Sequence, residues 1–393
     1  MSWPLVKLGE VAKLINGDRG KNYPSKGSFV EKGIPFINAG CLSNEHTLID
    51  EELNFITEEK FDSLRSGKIE KGDILFCLRG SLGKFALVDT NMKGAIASSL
   101  VIIRANEKVY IDYLKHYLGS LLCQREIQAY ENGAAQPNLS ATDLKSFQIP
   151  LPPLDEQKRI AAILDKADAI RQKRKQAIDL ADEFLRSVFL DMFGDPVTNP
   201  KGWEVKPLRD VVGIVTGNTP SRKEPENYGN EIEWIKSDNI NTPSHFLTSA
   251  EESLSESGLL KGRAVNSGAV LMTCIAGSLS CIGNIAIADR RVSFNQQINA
   301  LVPKDSITTE YLYALMLVSK QKIQDSSTNS MKGMVSKGTL GGIEFPIAPE
   351  RKQIDFVDFF NKYLKMLAQS DFFHNQSNIQ FNSLSQKAFS GQL

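Results

Sequence analysis

Short apolar runs separated by turn residues dominate the first part of the chain. Residues 34–37, 74–78, 85–88 and 99–103 are apolar or mostly apolar, and Gly, Pro and Asn recur between them. This spacing predicts strands joined by long loops. Residues 110–130 instead carry apolar side chains at helical spacing, so we expect one helix there, covering a face of the sheet.

A long helix is predicted after this strand-rich segment. The Ile-Pro-Leu-Pro-Pro run at 149–153 is incompatible with helix, and acidic Asp155 and Glu156 then occupy a first helical turn, where the helix dipole favours them. The helix should run to about Phe193 and stop at Gly194. Its heptad seam would be about 58 Å long. The predicted seam consists of Ile163, Ala167, Ile170, Arg174, Ala177, Ala181, Phe184 and Val188.

A second long helix is predicted at the end of the chain, after the Phe-Pro-Ile-Ala-Pro run at 345–349. Two seams of matched length would pack most simply as an antiparallel coiled coil, with Arg174 meeting Asp371 or His374 near the centre and fixing the register. A solvated helix face remains the alternative for each of these residues. The second seam consists of Val357, Phe360, Leu364, Leu367, Asp371, His374, Asn378, Phe381, Ser385 and Ala388.

The chain repeats itself. Trp3, Leu8 and Gly17 recur 200 positions later as tryptophan, leucine and glycine, and residues 150–157 return at an offset of 196 as 346–353. A repeat this long is a duplicated domain, and two copies of one module suggest a twofold or split target. The prediction is an α/β (α+β) protein with two strand-rich modules, each followed by a long helix. The four segments are 1–148, 149–194, 195–344 and 345–393.

Composition narrows the class of protein. Hydrophobic residues make up 41% and charged residues 23% of the chain, and 46 basic residues balance 46 acidic ones, so bulk charge does not attract nucleic acid. Five scattered cysteines without a Cys-x-x-Cys pair predict neither disulfides nor a zinc site, and the four histidines lack metal-ligand spacing. Without an apolar stretch of about 20 residues or a signal peptide, a cytoplasmic protein is expected.

Several phrases of the sequence resemble a known family, the specificity (S) subunits of type I restriction-modification systems. The resemblance covers essentially all 393 residues. It is most specific at Gln-Pro-Asn-Leu-Ser (136–140), followed by the proline-rich break and by Glu-Gln-Lys-Arg-Ile (156–160). Further phrases are Gly-Asn-Thr-Pro-Ser (217–221), Trp-Ile-Lys-Ser-Asp (234–238), Phe-Asn-Gln-Gln (294–297) and the C-terminal 388–393.

The resemblance implies a non-catalytic subunit with two target recognition domains, each reading one half of a split site in double-stranded DNA. The paired helices would act as a ruler and dock two modification subunits, which bind S-adenosylmethionine and methylate adenine. Restriction subunits, where present, would use ATP and Mg²⁺. No cofactor is therefore expected in this chain. The first module lacks the Asn-Gln-Gln phrase and has Ala97-Ser98-Ser99 instead, which predicts different half-sites.

Candidate DNA contacts are cations for phosphates and amide, hydroxyl or guanidinium groups for base edges, placed on Gly-rich loops or after a predicted strand. The basic run 171–175 is a further candidate phosphate patch, although a solvated helix face explains it as well. Glu156, Gln157 and Gln353 are either partner contacts or helix-start residues. The candidates are Arg19, Lys21, Asn22, Lys26, Arg79, Ser81 and Lys84 in the first module, and Asn218, Thr219, Ser221, Arg222, Lys223, Lys236, Ser237, Asp238, Ser278 and Asn284 in the second.

Two alternatives stay open. A type II-like enzyme would cut or methylate DNA itself, and Asp195 with Glu204-Val205-Lys206 has the outline of a metal-dependent nuclease motif. The sequence contains neither a Gly-x-x-x-x-Gly-Lys-Ser/Thr phosphate loop nor the Asn/Asp-Pro-Pro-Tyr/Phe methyltransferase tetrapeptide. The other alternative is a scaffold that joins two helical partners without reading bases.

Overall fold

The computed structural model describes residues 3–129, 138–327 and 333–393, and the chain divides into two compact units. Unit 1 contains Met1–Lys175 and Phe372–Leu393, and unit 2 contains Gln176–Asp371. Each unit therefore holds one strand-rich module with part of each long helix. The two units are defined by which residues pack together, whereas the four segments predicted above are defined by the sequence repeat. The boundaries of those segments stay a prediction.

The module of unit 1 is built on two four-stranded sheets, ordered β2-β9-β6-β7 and β3-β5-β4-β8. β1 and β10 form a separate antiparallel pair. The elements are β1 (Leu5–Lys7), α1 (Leu8–Val11), β2 (Ala12–Asn16), β3 (Phe29–Val30), β4 (Ile34–Ile37), β5 (Asn54–Ile56), α2 (Glu58–Ser63), β6 (Ile74–Cys77), β7 (Phe85–Leu87), β8 (Ala95–Ile96), β9 (Leu100–Ala105), α3 (Ile111–Leu118), α4 (Leu121–Gln128), α5 (Ala141–Ser146), β10 (Gln148–Pro150) and the long α6 (Leu154–Phe193).

The module of unit 2 repeats this plan. Its sheets are ordered β12-β21-β17-β19 and β13-β15-β14-β20-β16, with the pairs β11-β23 and β18-β22 beside them. The elements are β11 (Glu204–Pro207), α7 (Leu208–Val211), β12 (Val212–Thr216), β13 (Tyr228–Gly229), β14 (Ile232–Ile235), β15 (Ser253–Leu254), α8 (Glu256–Lys261), β16 (Ala264–Val265), β17 (Val270–Thr273), β18 (Ile275–Ala276), β19 (Ile285–Ile287), β20 (Val292–Phe294), β21 (Ile298–Pro303), α9 (Thr309–Val318), α10 (Lys320–Asp325), β22 (Gly333–Met334), α11 (Lys337–Gly342), β23 (Glu344–Ile347) and the long α12 (Glu350–Ser390).

The predicted α/β fold class is confirmed, and the four apolar runs of the first module all become strands. The single helix predicted over 110–130 is wrong, because the chain forms α3 and α4 with Gly119 and Ser120 between them. The Ser120 hydroxyl accepts a hydrogen bond from the Cys123 N–H at 3.3 Å and so caps a new helix. Tyr130 lies outside the described residues.

A tryptophan ties each module to the end of a long helix. In unit 1 the Trp3 indole N–H donates to the Ala388 carbonyl of α12 at 2.8 Å. In unit 2 the Trp203 indole N–H donates to the Phe193 carbonyl of α6 at 2.9 Å. Because the last turn of a helix has carbonyls without intrahelical partners, the indole satisfies one of them in each unit.

The two long helices run antiparallel where they meet within each unit. In unit 1 the Arg171 guanidinium lies over the Phe381 ring at 4.6 Å, and Arg159 donates to the Leu393 carbonyl at 3.0 Å. In unit 2 the Tyr363 hydroxyl donates to Asp182 at 2.8 Å, and the ring centres of Phe184 and Phe359 lie 5.8 Å apart. Within each unit, a later residue of α6 thus contacts an earlier residue of the C-terminal segment, and the predicted antiparallel packing is confirmed.

The predicted seam of α6 is wrong in register. Ile170 and Phe184 are 52% and 50% exposed, whereas Ile160, Leu164 and Leu185 are fully buried. The true apolar face is displaced because both ends of α6 also pack on the strand-rich modules, so burial there is not decided by the other helix alone. Most of the α12 seam is buried or partly buried as predicted, but Asp371 is exposed.

The central polar contact also differs from the predicted one. Arg174 donates to the Phe373 carbonyl at 2.6 Å and to the Ser377 hydroxyl, both in unit 1. Its guanidinium also lies 5.6 Å from the centre of the Phe373 ring. Arg174 therefore contacts α12 as expected, but a serine hydroxyl and a carbonyl accept its hydrogen bonds instead of Asp371 or His374, and its role in fixing the register stays a prediction.

Candidate nucleic-acid interface

Each module carries an exposed loop that begins at a glycine fixed by close packing. A Cβ on Gly17 would lie 2.7 Å from the carbonyl oxygens of Ile96 and Ala97. A Cβ on Gly217 would lie 2.1 Å from the Asn295 carbonyl oxygen and 2.5 Å from that of Phe294. Any side chain would force the backbone apart, so glycine is required at the same place in both units.

The loop of unit 1 is further fixed by a buried carboxylate. Asp18 accepts hydrogen bonds from the backbone N–H groups of Arg65 at 2.8 Å and of Gly20 at 2.7 Å. These N–H groups hold the pKa of Asp18 below its ordinary value, so the carboxylate stays ionised. The loop is therefore held to the segment that follows α2.

Four predicted contact residues lie on this loop. Arg19 and Lys21 are exposed, and Arg19 makes one long hydrogen bond of 3.4 Å to the Ser98 carbonyl. Asn22 donates to the Ser63 carbonyl at 2.6 Å, so its amide nitrogen serves to hold α2. Lys26 begins a short 3-10 turn, Lys26–Ser28. Arg19 and Lys21 thus keep their cationic groups exposed on this loop, and their contact with DNA stays a prediction.

A second turn of unit 1 carries the other three candidates. Gly80 and Gly83 have φ values of 84° and 80°, which favour glycine, and the turn between them exposes Ser81. Ser81 and half-buried Lys84 line a cleft of about 640 Å³. Exposed Arg79 donates to the Asn138 side chain at 3.1 Å, within a β-bridge between the two residues.

In unit 2 the candidates at the start of the loop hold it in shape. Asn218 donates to the Lys261 carbonyl at 2.6 Å, and the Thr219 hydroxyl donates to Gln296. The Ser221 hydroxyl accepts a hydrogen bond from the Lys223 N–H at 3.3 Å. Lys223 itself is exposed.

Two cations of unit 2 converge on one carboxylate. Arg222 Nη2 donates to Glu252 at 2.8 Å, and Lys236 Nζ donates to the other oxygen of Glu252 at 2.6 Å. The hydrogen bond from Lys236, with a smaller one from Arg222, lowers the pKa of Glu252. Arg222 and Lys236 are 30 and 16 residues from Glu252 along the chain, so only the fold brings this cluster together.

The remaining candidates are divided between surface and internal contacts. Ser237 and exposed Asp238 begin a 3-10 turn after β14. Ser278 is exposed, and its hydroxyl lies 2.7 Å from that of Ser280. Asn284 donates to the Asn241 side chain at 2.8 Å and accepts from Lys320 at 2.5 Å, so it belongs to a polar network within unit 2, beside a cleft of about 280 Å³.

Sequence reasoning missed two residues of these surfaces. Glu252 holds Arg222 and Lys236, and Gln296 accepts from the Thr219 hydroxyl. Gln296 lies in the Phe-Asn-Gln-Gln phrase, which offered a signal. Glu252 offered none, because its partners come from other segments of the sequence.

The basic run on α6 is largely engaged inside unit 1. Arg171 pairs with Asp168 at 2.5 Å, Arg174 binds α12, and Lys175 pairs with Glu45. Gln172, Lys173 and Lys175 are nevertheless exposed, and Gln172 also donates to Asp168 at 2.8 Å. Most of the run therefore makes contacts within unit 1, and the phosphate patch stays a prediction.

Gln157 and Gln353 are buried structural residues. Gln157 accepts from the Tyr110 N–H at 2.8 Å and donates to the Lys108 and Pro152 carbonyls. Gln353 accepts from the Thr308 N–H at 2.9 Å and donates to the Ser306 and Ala348 carbonyls. Their amides join the start of a long helix to its module, which rules out the partner-contact alternative for both side chains.

The residues of the nuclease outline make local contacts. Asp195 accepts from the Val197 N–H at 2.7 Å, and exposed Glu204 pairs with Lys206 at 3.0 Å. Within the described residues, no group of three or more His, Cys, Asp or Glu side chains is arranged to hold a metal ion. In the same residues, no helix has the length and apolar character needed to cross a membrane.

Comparison with known proteins identifies the class to which this two-module arrangement corresponds. The family described as Type I restriction modification DNA specificity domain matches twice, over residues 2–180 and 200–371. The chain belongs to this family. The specificity subunit of the type I restriction enzyme HindI of Haemophilus influenzae is 22% identical over 420 residues, with 86% of each chain covered.

Solved structures agree on the fold. A chain from a study of complex assembly and conformational transition of the type I R-M system has a TM-score of 0.59 at 18% identity, covering 100% of this chain and 98% of its own. The type I restriction-modification S subunit from M. genitalium has a TM-score of 0.52 at 15% identity, covering 99% and 96%.

Proposed function

We propose that this chain is the specificity subunit of a type I restriction-modification complex and that each unit reads one half of a split site in double-stranded DNA. One observation carries the proposal. Both units hold a loop in the same way, through a glycine packed on two strand-end carbonyls, yet the side chains on the two loops differ. A shared scaffold with different surface groups suits two readers of different half-sites.

The long helices are the proposed docking surface for two modification subunits. Within unit 2, Leu180, Phe184 and Ile354 expose 61%, 50% and 50% of their surface. Within unit 1, Phe372 and Ile379 expose 58% and 61%. Large apolar side chains exposed along helices favour contact with protein partners. Restriction subunits, where present, would join the same complex.

Catalysis is assigned to these partners. The modification subunits would bind S-adenosylmethionine and methylate adenine, and restriction subunits would bind ATP and Mg²⁺. The proposed role needs no cofactor in this chain. The complex would act in the cytoplasm, where it meets foreign DNA.

The test is to co-express the chain with its neighbouring modification subunit, expose genomic DNA to the complex and map N6-methyladenine by single-molecule sequencing. One split motif with a fixed gap is expected. Methylation without a common motif, or no methylation despite a stable complex, would contradict base reading and favour the scaffold alternative.

The enzyme alternative has its own discriminating assay. The purified chain alone should neither cut nor methylate DNA when Mg²⁺ or S-adenosylmethionine is supplied. Cleavage that disappears in Asp195→Ala and Glu204→Ala variants would instead assign a nuclease site to this chain.

A further inference from the structure

A pair of aromatic rings forms a floor beneath the loop at 217–223. Tyr228 and Trp234 pack edge to face, with ring centres 5.8 Å apart. The Tyr228 hydroxyl donates to the Pro220 carbonyl at 2.9 Å, and the Trp234 indole N–H donates to the Asn218 carbonyl at 3.3 Å. The loop is therefore tied to the floor at two points.

Arg222 lies on this floor in a restrained position. Its guanidinium is 5.0 Å from the centre of the Tyr228 ring and 5.6 Å from that of Trp234. Glu252 accepts a hydrogen bond from its Nη2. Cation–π contact and a carboxylate together hold the plane of a side chain that is still 58% exposed.

Lys236 completes the cluster from the other side. Its Nζ lies 5.6 Å from the centre of the Trp234 ring and donates to the second oxygen of Glu252. Two cations thus share one carboxylate, which leaves the cluster with a net positive charge. That charge favours an electron-rich partner in the DNA.

Resting on the proposed function, we propose that Arg222 reads a guanine in the major groove of the half-site recognised by unit 2, and that Glu252 is the residue that positions it. Guanine presents the acceptors N7 and O6 side by side, and a planar guanidinium pairs with both. Arginine has five N–H donors, so the hydrogen bond to Glu252 leaves others for the base. A phosphate contact by Arg222 is the alternative, and it would carry no preference for a base pair.

The equivalent place in unit 1 carries different chemistry. In unit 2 the Trp234 N–H donates to the Glu252 carbonyl at 2.9 Å. In unit 1 the corresponding pair of residues in the sheet is Phe36 and Asn54. The residue that follows β4 is Asn38, where Lys236 follows β14. Amides thus replace the carboxylate and the lysine, which confines the proposed guanine contact to one half-site.

The experiment is the methylation map described above, made for the complex with the unaltered chain, Arg222→Gln, Glu252→Gln and the control Arg291→Gln. Arg291 is an exposed arginine of unit 2 outside the candidate DNA contacts, so the control matches the loss of charge. Arg222→Gln should relax the preference for one G·C pair in one half-site by about tenfold to a hundredfold. Glu252→Gln should relax the same pair by less, and Arg291→Gln should leave the motif unchanged.

Three results would overturn this proposal while leaving the proposed function intact. Arg222→Gln could lower methylation equally at all sites with an unchanged motif, which is the behaviour of a phosphate contact. Arg222→Gln could instead relax the preference at a base pair other than G·C. Glu252→Gln could reduce thermal stability and methylation without touching the motif, which would make Glu252 merely structural. A split motif missing for the unaltered chain would defeat the proposed function as well.

Discussion

Gly217 illustrates how one residue without a side chain sets the position of a recognition loop. The carbonyl oxygens of Asn295 and Phe294 occupy the space that a Cβ would need. Since both obstacles are backbone atoms, a larger residue cannot be accommodated by turning a side chain. The shape of the loop therefore depends on this glycine as much as on the polar residues that follow it.

We expect Gly217→Ala to destabilise unit 2 by about 1–3 kcal/mol, the usual cost of overpacking, and to weaken discrimination in one half-site only. Gly213→Ala is the matched control, because its Cβ would meet nothing closer than 3.8 Å. Thermal unfolding and the methylation map measure the two effects. Equal behaviour of the two variants would contradict the role of close packing at Gly217.

We expect two histidines of unit 1 to make its stability depend on pH. Burial lowers the pKa of His46, which stacks on Phe85, and it lowers the pKa of His116, which bonds Asp165 at 2.8 Å. The positive charge of Lys115 lowers the pKa of both histidines further, and that of Arg171 lowers the pKa of His46. The negative charge of Asp168 raises the pKa of both. The folded unit therefore favours neutral imidazoles.

Below the ordinary histidine value of 6.5, the unfolded chain binds more protons than the folded one. The stabilisation from the two neutral histidines is present above pH 6.5. It is lost as the pH falls through their lowered pKa values in the folded chain. Hydrogen exchange of the α3 amides should accelerate between pH 7.5 and 5.5, after correction for intrinsic rates. His46→Asn with His116→Gln should reduce that change, and asparagine suits the φ of 65° at position 46. An undiminished change would assign it to other groups.

At the scale of elements, the buried glutamines make each long helix part of its module. The Gln353 amide satisfies the Thr308 N–H and two carbonyls at once, and only 1% of its surface is exposed. The equivalent Gln157 repeats the arrangement in unit 1. A buried amide with three partners is costly to remove, because the partners lose hydrogen bonds that water cannot fully replace.

We expect Gln353→Ala to destabilise unit 2 by about 2 kcal/mol. Gln369→Ala, on the exposed face of the same helix, should change stability by less than about 0.5 kcal/mol. Thermal unfolding of the full chain measures both. Comparable effects of the two changes would mean that the amide does not join the helix to the module.

The elements also show what a sequence specifies locally and what it does not. Continuous apolar runs such as Ile74–Cys77 are recognisable as strands because the whole run is buried. Two-residue strands such as Tyr228–Gly229 are too short for any periodicity to appear. The register of α6 was missed because its buried face is set partly by modules whose packing follows from distant segments. The Glu252 contacts were missed for the same reason.

At the scale of the whole molecule, both long helices run through the chain positions at which the two units are divided. The division falls after Lys175 in α6 and after Asp371 in α12. Two helical connections are stiffer than the flexible loops that usually join domains. The proposed function therefore predicts that helix length sets the gap between the half-sites.

Deleting one heptad from each helix, residues 173–179 and 368–374, tests this prediction. Seven residues preserve the heptad repeat and remove about 10 Å of helix, the length of about three base pairs of DNA. The methylation map should keep both half-sites and change the gap between them. Deleting 173–179 alone is the control, since it offsets one helix against the other and should impair folding or assembly. An unchanged gap in the double deletion would show that the helices do not measure the distance, and would move that role to the partner subunits.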